Sequence, residues 1–457
     1  MTKNVFAILV ACFLFSACSS DDKEILPGIS TELDVQIANL SNKLEVAQED
    51  TLFVKAVIHS KLDSEFKWLV NGKVIEEAKD SVFKFVQDDL GEYTISLKGT
   101  NKETESIASV KVNVFGKYRD GTFILNEGNM TTENGSLIFI SPNGQITDSV
   151  YYKENGSELG NVAQDLFITN NRLYIISQNG SKNTVGTSFA NEGMLVIANA
   201  ETLKNEASYD VELAETLSWA SHIAVLGQDN VYIRDNKGLY LFNTTSKELT
   251  FVEGSKGTNK STMAVVGNYL FAAAGKKLLA VKSGETEIAF SKNFEQNISA
   301  VIPSYDDKLW VSTGGTSPVI YKLNPINLDI IRQNNVTVGR IDKTYASSPA
   351  ITAKGDTIYY SNLSTKIYRH IFNEGTSELM VDAKSMVENA GVVYNTIAVH
   401  PKTGHVYLNT MKGFGWDFLI NEITLFDFDE SEPKVVHRYN NYTHLPVGVF
   451  FTDNFRK

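Results

Sequence analysis

The sequence predicts an all-β chain, a small β-sandwich followed by a β-propeller of seven blades, with eight as the alternative count. Three observations carry this expectation. Short apolar runs alternate with polar residues and are broken by Gly, Asn and Asp, the period-two signature of half-buried strands. From residue 163 onward one unit recurs six times at the spacing of a propeller blade. A seventh unit is divided between the two ends of that region. The 457 residues, 42% hydrophobic and 21% charged, suit more than one globular domain with a sizeable core. The formal net charge of −12 argues against a nucleic-acid partner, which calls for a basic surface.

The first element is a leader. Met1-Thr2-Lys3-Asn4 precedes "VFAILVACFLF", Val5 to Phe15, an apolar run that fits a secretory signal and is too short to span a membrane. Ser16-Ala17-Cys18 then resembles the lipobox of bacterial lipoproteins, with Phe15 where leucine is usual. That resemblance implies a signal peptide over 1–17 and a lipid on Cys18, the new N-terminus. Cys12 leaves with the leader, so disulfide, zinc-thiolate and cysteine-nucleophile readings fall away. No later segment reaches about 18 unbroken apolar residues, so the expectation is a lipid anchor only. The acidic "SSDDKE" resembles the tag that exports lipoproteins to the surface of the outer membrane in Bacteroidota; the alternative is a solvated tether. Residues 18–29 are therefore read as a lipidated acidic tether.

Residues 30–115 hold strand-like segments such as "LDVQIANL", "TLFVKAVIH", "EFKWLVNG" and "EYTISLKGT". Trp68 sits within a strand, and Tyr93 opens one just after Gly91. The segment resembles immunoglobulin-like modules of the polycystic-kidney-disease (PKD) type, with Trp68 and Tyr93 as core landmarks. Lacking a cysteine pair, it must rest on its apolar core.

The repeats begin at Ala163. "AQDLFITNNRLYIIS" (163–177), "SHIAVLGQDNVYIRD" (221–235), "STMAVVGNYLFAAAG" (261–275), "ISAVIPSYDDKLWVSTGG" (298–315), "SSPAITAKGDTIYYSN" (347–362) and "NTIAVHPKTGHVYLNT" (395–410) share one plan. Each has a small or polar lead, an apolar strand, a turn and a second strand. Their starts lie 58, 40, 37, 49 and 48 residues apart. The segment 121–152 supplies outer strands without an inner one, and "PVGVFFTD" (446–453) is an inner strand without a continuation. Pairing the two closes the propeller, read over 118–457, and removes an exposed edge. Helix is expected to be scarce, with "AKSMVENAG" (383–391) the best candidate for a turn or two.

"GTFILNEGNMTTENGSLIFISPNG" followed by "LGNVAQDLFITNNRLYIIS" resembles the YncE-like (DUF5074-type) propellers that are surface lipoproteins of gut Bacteroidota. In those an "NEG" strand end and a "GQD"-like lead open the first blades; here Ala163 replaces the glycine. The resemblance implies capture of a scarce nutrient for a TonB-dependent outer-membrane transporter. One branch binds cobalamin and another ferric siderophores from other bacteria. The additional N-terminal sandwich favours the siderophore branch.

Catalysis has no positive signal. The seven histidines show no H-E-x-x-H spacing, no G-x-S-x-G elbow is present, and "DFDESE" (427–432) lacks the glycine of a calcium loop. Paired carboxylates from distant blades stay open as an alternative. The expectation is a non-enzyme with no catalytic residue, protein-bound metal or cofactor.

Binding follows from where a propeller presents side chains. Loops entering the inner strands, and loops joining second to third strands, line one mouth, a preformed concave site. The leads offer Gln164, Trp219, His222, Tyr345, Tyr394 and His444. The loops offer Asn126, Glu127, Asn129, Gln178, Asn179, Arg234, Lys276, Lys277, Lys412, Phe414 and Trp416. From these the expected ligand residues are Gln164, Trp219, His222, Arg234, Lys276, Tyr345, Tyr394, Lys412, Phe414 and Trp416. Each also has a plainer role: Phe414 and Trp416 could shield their own sheet, and Arg234 could pair with Asp235. Cations with aromatics on an acidic protein suit an anionic, aromatic ligand such as a ferric catecholate. Cobalamin would use the amides instead. Adhesion, scaffolding and hydrolysis are the remaining alternatives.

Overall fold

The computed structural model describes residues 32–41, 43–342, 348–430 and 432–455. The leader, Cys18, its acidic tether and Tyr345 lie outside them. The chain divides into two compact units between Val114 and Phe115.

In the first unit a five-stranded sheet holds Glu45–Ala47, Glu105–Phe115, Gly91–Thr100, Glu65–Val70 and Lys73–Val74, in that order. A three-stranded sheet holds Asp34–Asn39, Leu52–His59 and Val82–Phe85. Alternation puts Val35, Leu52, Val54 and Phe85 of the smaller sheet against Trp68, Ile95, Leu97 and Val112 of the larger. Trp68 is fully buried and stacks on Phe83, and its indole N–H donates to the Asp80 carbonyl at 3.1 Å. Tyr93 donates its hydroxyl to the Asp89 carbonyl at 3.0 Å. Trp68 is a core residue and Tyr93 a half-buried one packed against that core, each with its polar atom satisfied.

The second unit is all-β and propeller-like. Its described residues form seven four-stranded antiparallel sheets. In the first, the C-terminal strand Pro446–Phe451 pairs with Thr122–Asn126, which pairs with Ser136–Ile140 and then Ile146–Thr147. The other six sheets follow chain order and begin at Asn161–Thr169, His222–Gly227, Ala264–Val266, Ile298–Pro303, Thr352–Lys354 and Val392–Val399. Strands too short to bury their faces alone do so against the next sheet. Tyr174 and Ile176 of the second sheet meet Ile223 and Ile233 of the third. Tyr407 and Ile423 of the seventh return to Ile124, Ile138 and Phe451 of the first. Each such buried side chain contributes about 1.5–3 kcal/mol.

One turn recurs on the outer side. Asn199, Asn243 and Asn324 each accept backbone N–H groups two or three residues on. The residue four positions on is left-handed in each: Leu203 at φ 57°, Lys247 at 61° and Leu328 at 58°. Asparagine substitutes for a backbone turn, so one local device sets three third-to-fourth-strand hairpins.

Two local expectations meet different outcomes. "DSVYYKENG" is not an outer strand throughout: Val150–Asn155 is helical and ends at Gly156 in a left-handed cap. Its β-branched and aromatic residues favour strand, but Val150 and Tyr151 bury against the first sheet, and tertiary packing overrides propensity. The helix expected within 383–391 is a single 3₁₀ turn, Ala383–Ser385, with the Asp382 carboxylate capping the Lys384 N–H.

Candidate functional site

Four of the first-position strands lose register at their leading ends. In Asn161–Thr169, Ala163 pairs with Ser177 and Asp165 with Ile176, so Val162 and Gln164 fall out of the ladder. In Val392–Val399, residues 394–396 stand opposite the single residue Asn409. Shifts also occur at Ile298/Ala300 and Pro446/Gly448. Bulges re-aim side chains, and here they turn Gln164 and Tyr394 toward one carboxylate. Val162 (φ 59°), Trp219 (φ 59°) and Leu445 (φ 57°) are left-handed, a region that costs bulky residues about 1–3 kcal/mol each. Gly135 is fixed by close approach, since a Cβ there would lie 2.4 Å from the Ala163 methyl.

The carboxylate is Glu127, at the end of Thr122–Asn126. It is buried and accepts the Tyr394 hydroxyl at 2.5 Å and the Gln164 amide at 3.1 Å. Burial raises its pKa above the usual glutamate range, opposed by Tyr394, Lys260 and Gln164. Burial and the facing carboxylate push the Tyr394 phenol far above its ordinary value. Lys260 belongs to the lead into the fourth sheet. Its positive charge is one of the influences that oppose the burial-driven rise of the Glu127 pKa. Residues from three sheets, Glu127, Gln164 and Tyr394, therefore meet at one interior point.

The other expected residues divide clearly. Phe414 packs edge-on to Tyr394 at 6.3 Å between centroids, extending the cluster outward. Trp416, on the same loop, is 82% exposed, Phe414 55% and Trp219 58%. Lys276 is exposed and outside the cluster. Lys412 is exposed and ion-paired with Asp417 at 2.9 Å. Arg234 and His222 depart from an open mouth, because both are buried. Arg234 donates twice to the Thr258 carbonyl, at 3.2 and 3.0 Å, and once to Ser221 at 3.0 Å, tying the third sheet to the lead of the fourth. The His222 Nδ1 lies 2.9 Å from the Ser221 hydroxyl. Gln164 is also buried but stays in the cluster.

Beside Gln164, Asp165 accepts the Leu166 N–H at 2.9 Å and the Ile223 N–H at 3.1 Å, stapling the second and third sheets. Full burial pushes its carboxyl up to about 8 against those two bonds. Several amides of the first two sheets are engaged within the protein: Asn179 donates to Asn161, Gln178 to Asn179, and Asn126 to the Ser136 hydroxyl. A separate cleft of about 240 Å³, lined by Glu133, Asp148, Glu158, Phe189 and His444 among others, gathers none of the expected ligand residues. Among the described residues there is no cluster of three or more His, Cys, Asp or Glu placed to hold a metal.

Glu127 stands among the mouth residues the sequence offers but not among the expected ligand contacts, and Lys260 is in neither set. The available signal was position: Lys260 stands four residues before Ala264, as Trp219 stands three before His222.

The sequence pattern of the family described as "Domain of unknown function (DUF5074)" matches residues 120–452. No curated protein matches the chain. Among solved structures it is similar to a quinonprotein alcohol dehydrogenase-like protein of Bacteroides thetaiotaomicron VPI-5482, at TM-score 0.56 and 14% identity, over 89% of this chain and 96% of that one. That likeness is one of fold. BamB from Moraxella catarrhalis gives TM-score 0.41 and 10% identity, over 72% of this chain and 85% of that one.

Proposed function

The chain belongs to the DUF5074 family, and on that premise we propose that its seven sheets are the blades of one closed propeller that captures a small ligand at its mouth. The protein works as a lipoprotein anchored through Cys18 on the outer surface of the outer membrane. It binds an iron-loaded siderophore of the ferric enterobactin type and passes it to a TonB-dependent transporter. It binds without turning the ligand over, and nucleic acid is no partner.

One observation carries the binding reading. Trp219, Phe414 and Trp416 hold large aromatic surfaces in water, and Phe414 packs on Tyr394 of the Glu127 cluster. Trp219 and Trp416, kept solvated on strained or Gly-flanked backbone, contribute little to folding and are suited to stack on a flat ligand. The siderophore is preferred over cobalamin because several of the amides cobalamin would use, Asn126, Gln178 and Asn179, are already hydrogen-bonded within the protein. A catecholate's negative charge can meet Lys260 and Lys276 instead.

Fluorescence titration tests the reading. Trp68 and Trp310 are fully buried, so ligand-induced quenching should come from Trp219 and Trp416. Micromolar ferric enterobactin should quench the wild type and leave Trp219→Phe/Trp416→Phe almost unchanged after inner-filter correction. Quenching by cyanocobalamin alone would transfer the site to cobalamin, and quenching by neither would remove both ligands.

A further inference from the structure

The loop joining the second and third strands of the seventh sheet is fastened at more points than its own closure needs. Its ends meet where the Lys412 N–H donates to the Ile420 carbonyl at 2.8 Å, and the Lys412–Asp417 ion pair spans it. Phe418 is buried and edge-on to the His444 ring at 5.8 Å, and its carbonyl receives the Asn421 amide at 3.0 Å. Phe414 stands between Gly413 and Gly415, the latter left-handed at φ 65°, so the backbone around it is permissive. Its ring nevertheless rests edge-on to Tyr394, which the bulge at 394–396 brings there. Opposite that bulge Asn409 is 1% exposed, and neither atom of its amide has a partner among the described residues. Bulges re-aim side chains, and a buried orphan amide beside one calls for a reason. The aiming of Tyr394 supplies it.

We propose that Glu127 and Tyr394 are positioning residues for the mouth: the Glu127 carboxylate fixes the Tyr394 ring, and that ring holds Phe414 as a preset aromatic wall for the ligand. This rests on the capture reading above. Every link is a close contact. Glu127 accepts the Tyr394 hydroxyl on Oε2 at 2.5 Å and the Gln164 amide on Oε1 at 3.1 Å, so the carboxylate cannot turn without breaking a hydrogen bond. The Tyr394 ring packs on the core shared by the first two sheets, which blocks it from swinging inward. Phe414 then lies 6.3 Å from it between centroids, with 55% of its own surface left bare. A ring fixed before the ligand arrives loses little freedom on binding, which strengthens capture. Among the described residues no ring supports Trp416, 82% exposed on the same loop, so the loop offers one preset and one adaptable aromatic.

A staple between the first and seventh sheets would have no need of Phe414. Those sheets already share a core of Ile124, Ile138, Tyr407, Ile423 and Phe451. The loop likewise keeps Phe418 and its closing hydrogen bond without Phe414. The contact between Tyr394 and Phe414 is where the buried pair acts on the mouth.

The test uses the whole chain, with para-fluorophenylalanine at position 414 for fluorine NMR and ferric enterobactin as the ligand probe. Without ligand, the fluorine line should lie away from that of the free amino acid and stay there in Glu127→Gln. Glutamine still accepts the Tyr394 hydroxyl, and the Gln164 Oε1, unpartnered among the described residues, receives the new amide once Gln164 turns over. Tyr394→Phe and Glu127→Leu should move the line toward the free amino acid. Tyr394→Phe and Phe414→Leu should each weaken ferric enterobactin binding by about three- to tenfold, the scale of one aromatic pair. The double variant should bind no more weakly than Phe414→Leu alone, because both changes remove the same wall. A line unmoved in Tyr394→Phe, or losses that multiply in the double variant, would overturn the proposal. Wild-type affinity in Tyr394→Phe would overturn it too and leave capture standing. Should Glu127→Leu not fold, Tyr394→Phe, which keeps the ring, still decides. If the wild type binds no ferric enterobactin while the line moves in Tyr394→Phe, siderophore capture falls and the held Phe414 stands.

Discussion

Asp165→Asn should change how stability depends on pH, more than stability itself. Asp165 is fully buried, and its carboxyl is pushed up to about 8 from the ordinary 3.8. The unfolded chain thus releases this proton near pH 4, whereas the folded chain keeps it until about pH 8. Across that window the folded state binds more protons, so the group's contribution is complete below about pH 4 and is lost as pH rises to about 8. Linkage sets the slope at about 1.4 kcal/mol per pH unit for one such proton. Asparagine is neutral throughout and has no slope. Its amide oxygen can still receive one of the two N–H groups, from Leu166 or Ile223, but its NH₂ faces the other. That adds a pH-independent cost of about 1–3 kcal/mol. Urea unfolding of the second unit, at about pH 5 and about pH 7, separates the two effects. The variant should gain about 2.7 kcal/mol on the wild type between them. Parallel stabilities would refute the reasoning, because Asp165 would then be ionised in the folded protein.

Three further outcomes follow from the geometry. Gly135→Ala should lower stability by about 1–3 kcal/mol through the clash with Ala163, and Ala163→Gly should restore most of it in a double-mutant cycle by denaturant melt. Trp219→Gly should raise the melting midpoint, by about 1 kcal/mol of stability, since an exposed tryptophan at φ 59° gives up strain and little burial, while ligand-induced quenching declines. Truncation after Leu445 removes Pro446–Phe451 and bares the Thr122–Asn126 edge. The shortened chain should self-associate in size-exclusion chromatography, and a synthetic 446–455 peptide should reverse this.

The repeat plan was legible because each unit carries its own strand alternation and turn residues. The pairing of the C-terminal strand with Thr122–Asn126 was legible because each end lacked what the other supplied. The helix Val150–Asn155 was not, since Val150, Tyr151 and Tyr152 favour strands; the Gly156 cap was the only local counter-signal. The exposure of the candidate aromatics was legible. Phe414, Trp416 and Trp219 stand on loops where a core has no use for them. The buried side chains depend on partners far away in the chain. Arg234 looked free because Thr258 lies 24 positions on, and Glu127 meets Tyr394 267 positions on. The bulges at Val162 and at residues 394–396 left no mark in composition, because backbone register is a property of the assembled sheet.

Amide hydrogen exchange of the full chain, with and without ferric enterobactin, tests the central claim of capture at the mouth most directly. The account predicts that ligand protects 127–135, 161–165, 258–264, 392–396 and 412–420, and leaves the outer turns at 199–204, 243–248 and 324–329 unchanged. Protection at those outer turns, or none anywhere at saturating ligand, would contradict it.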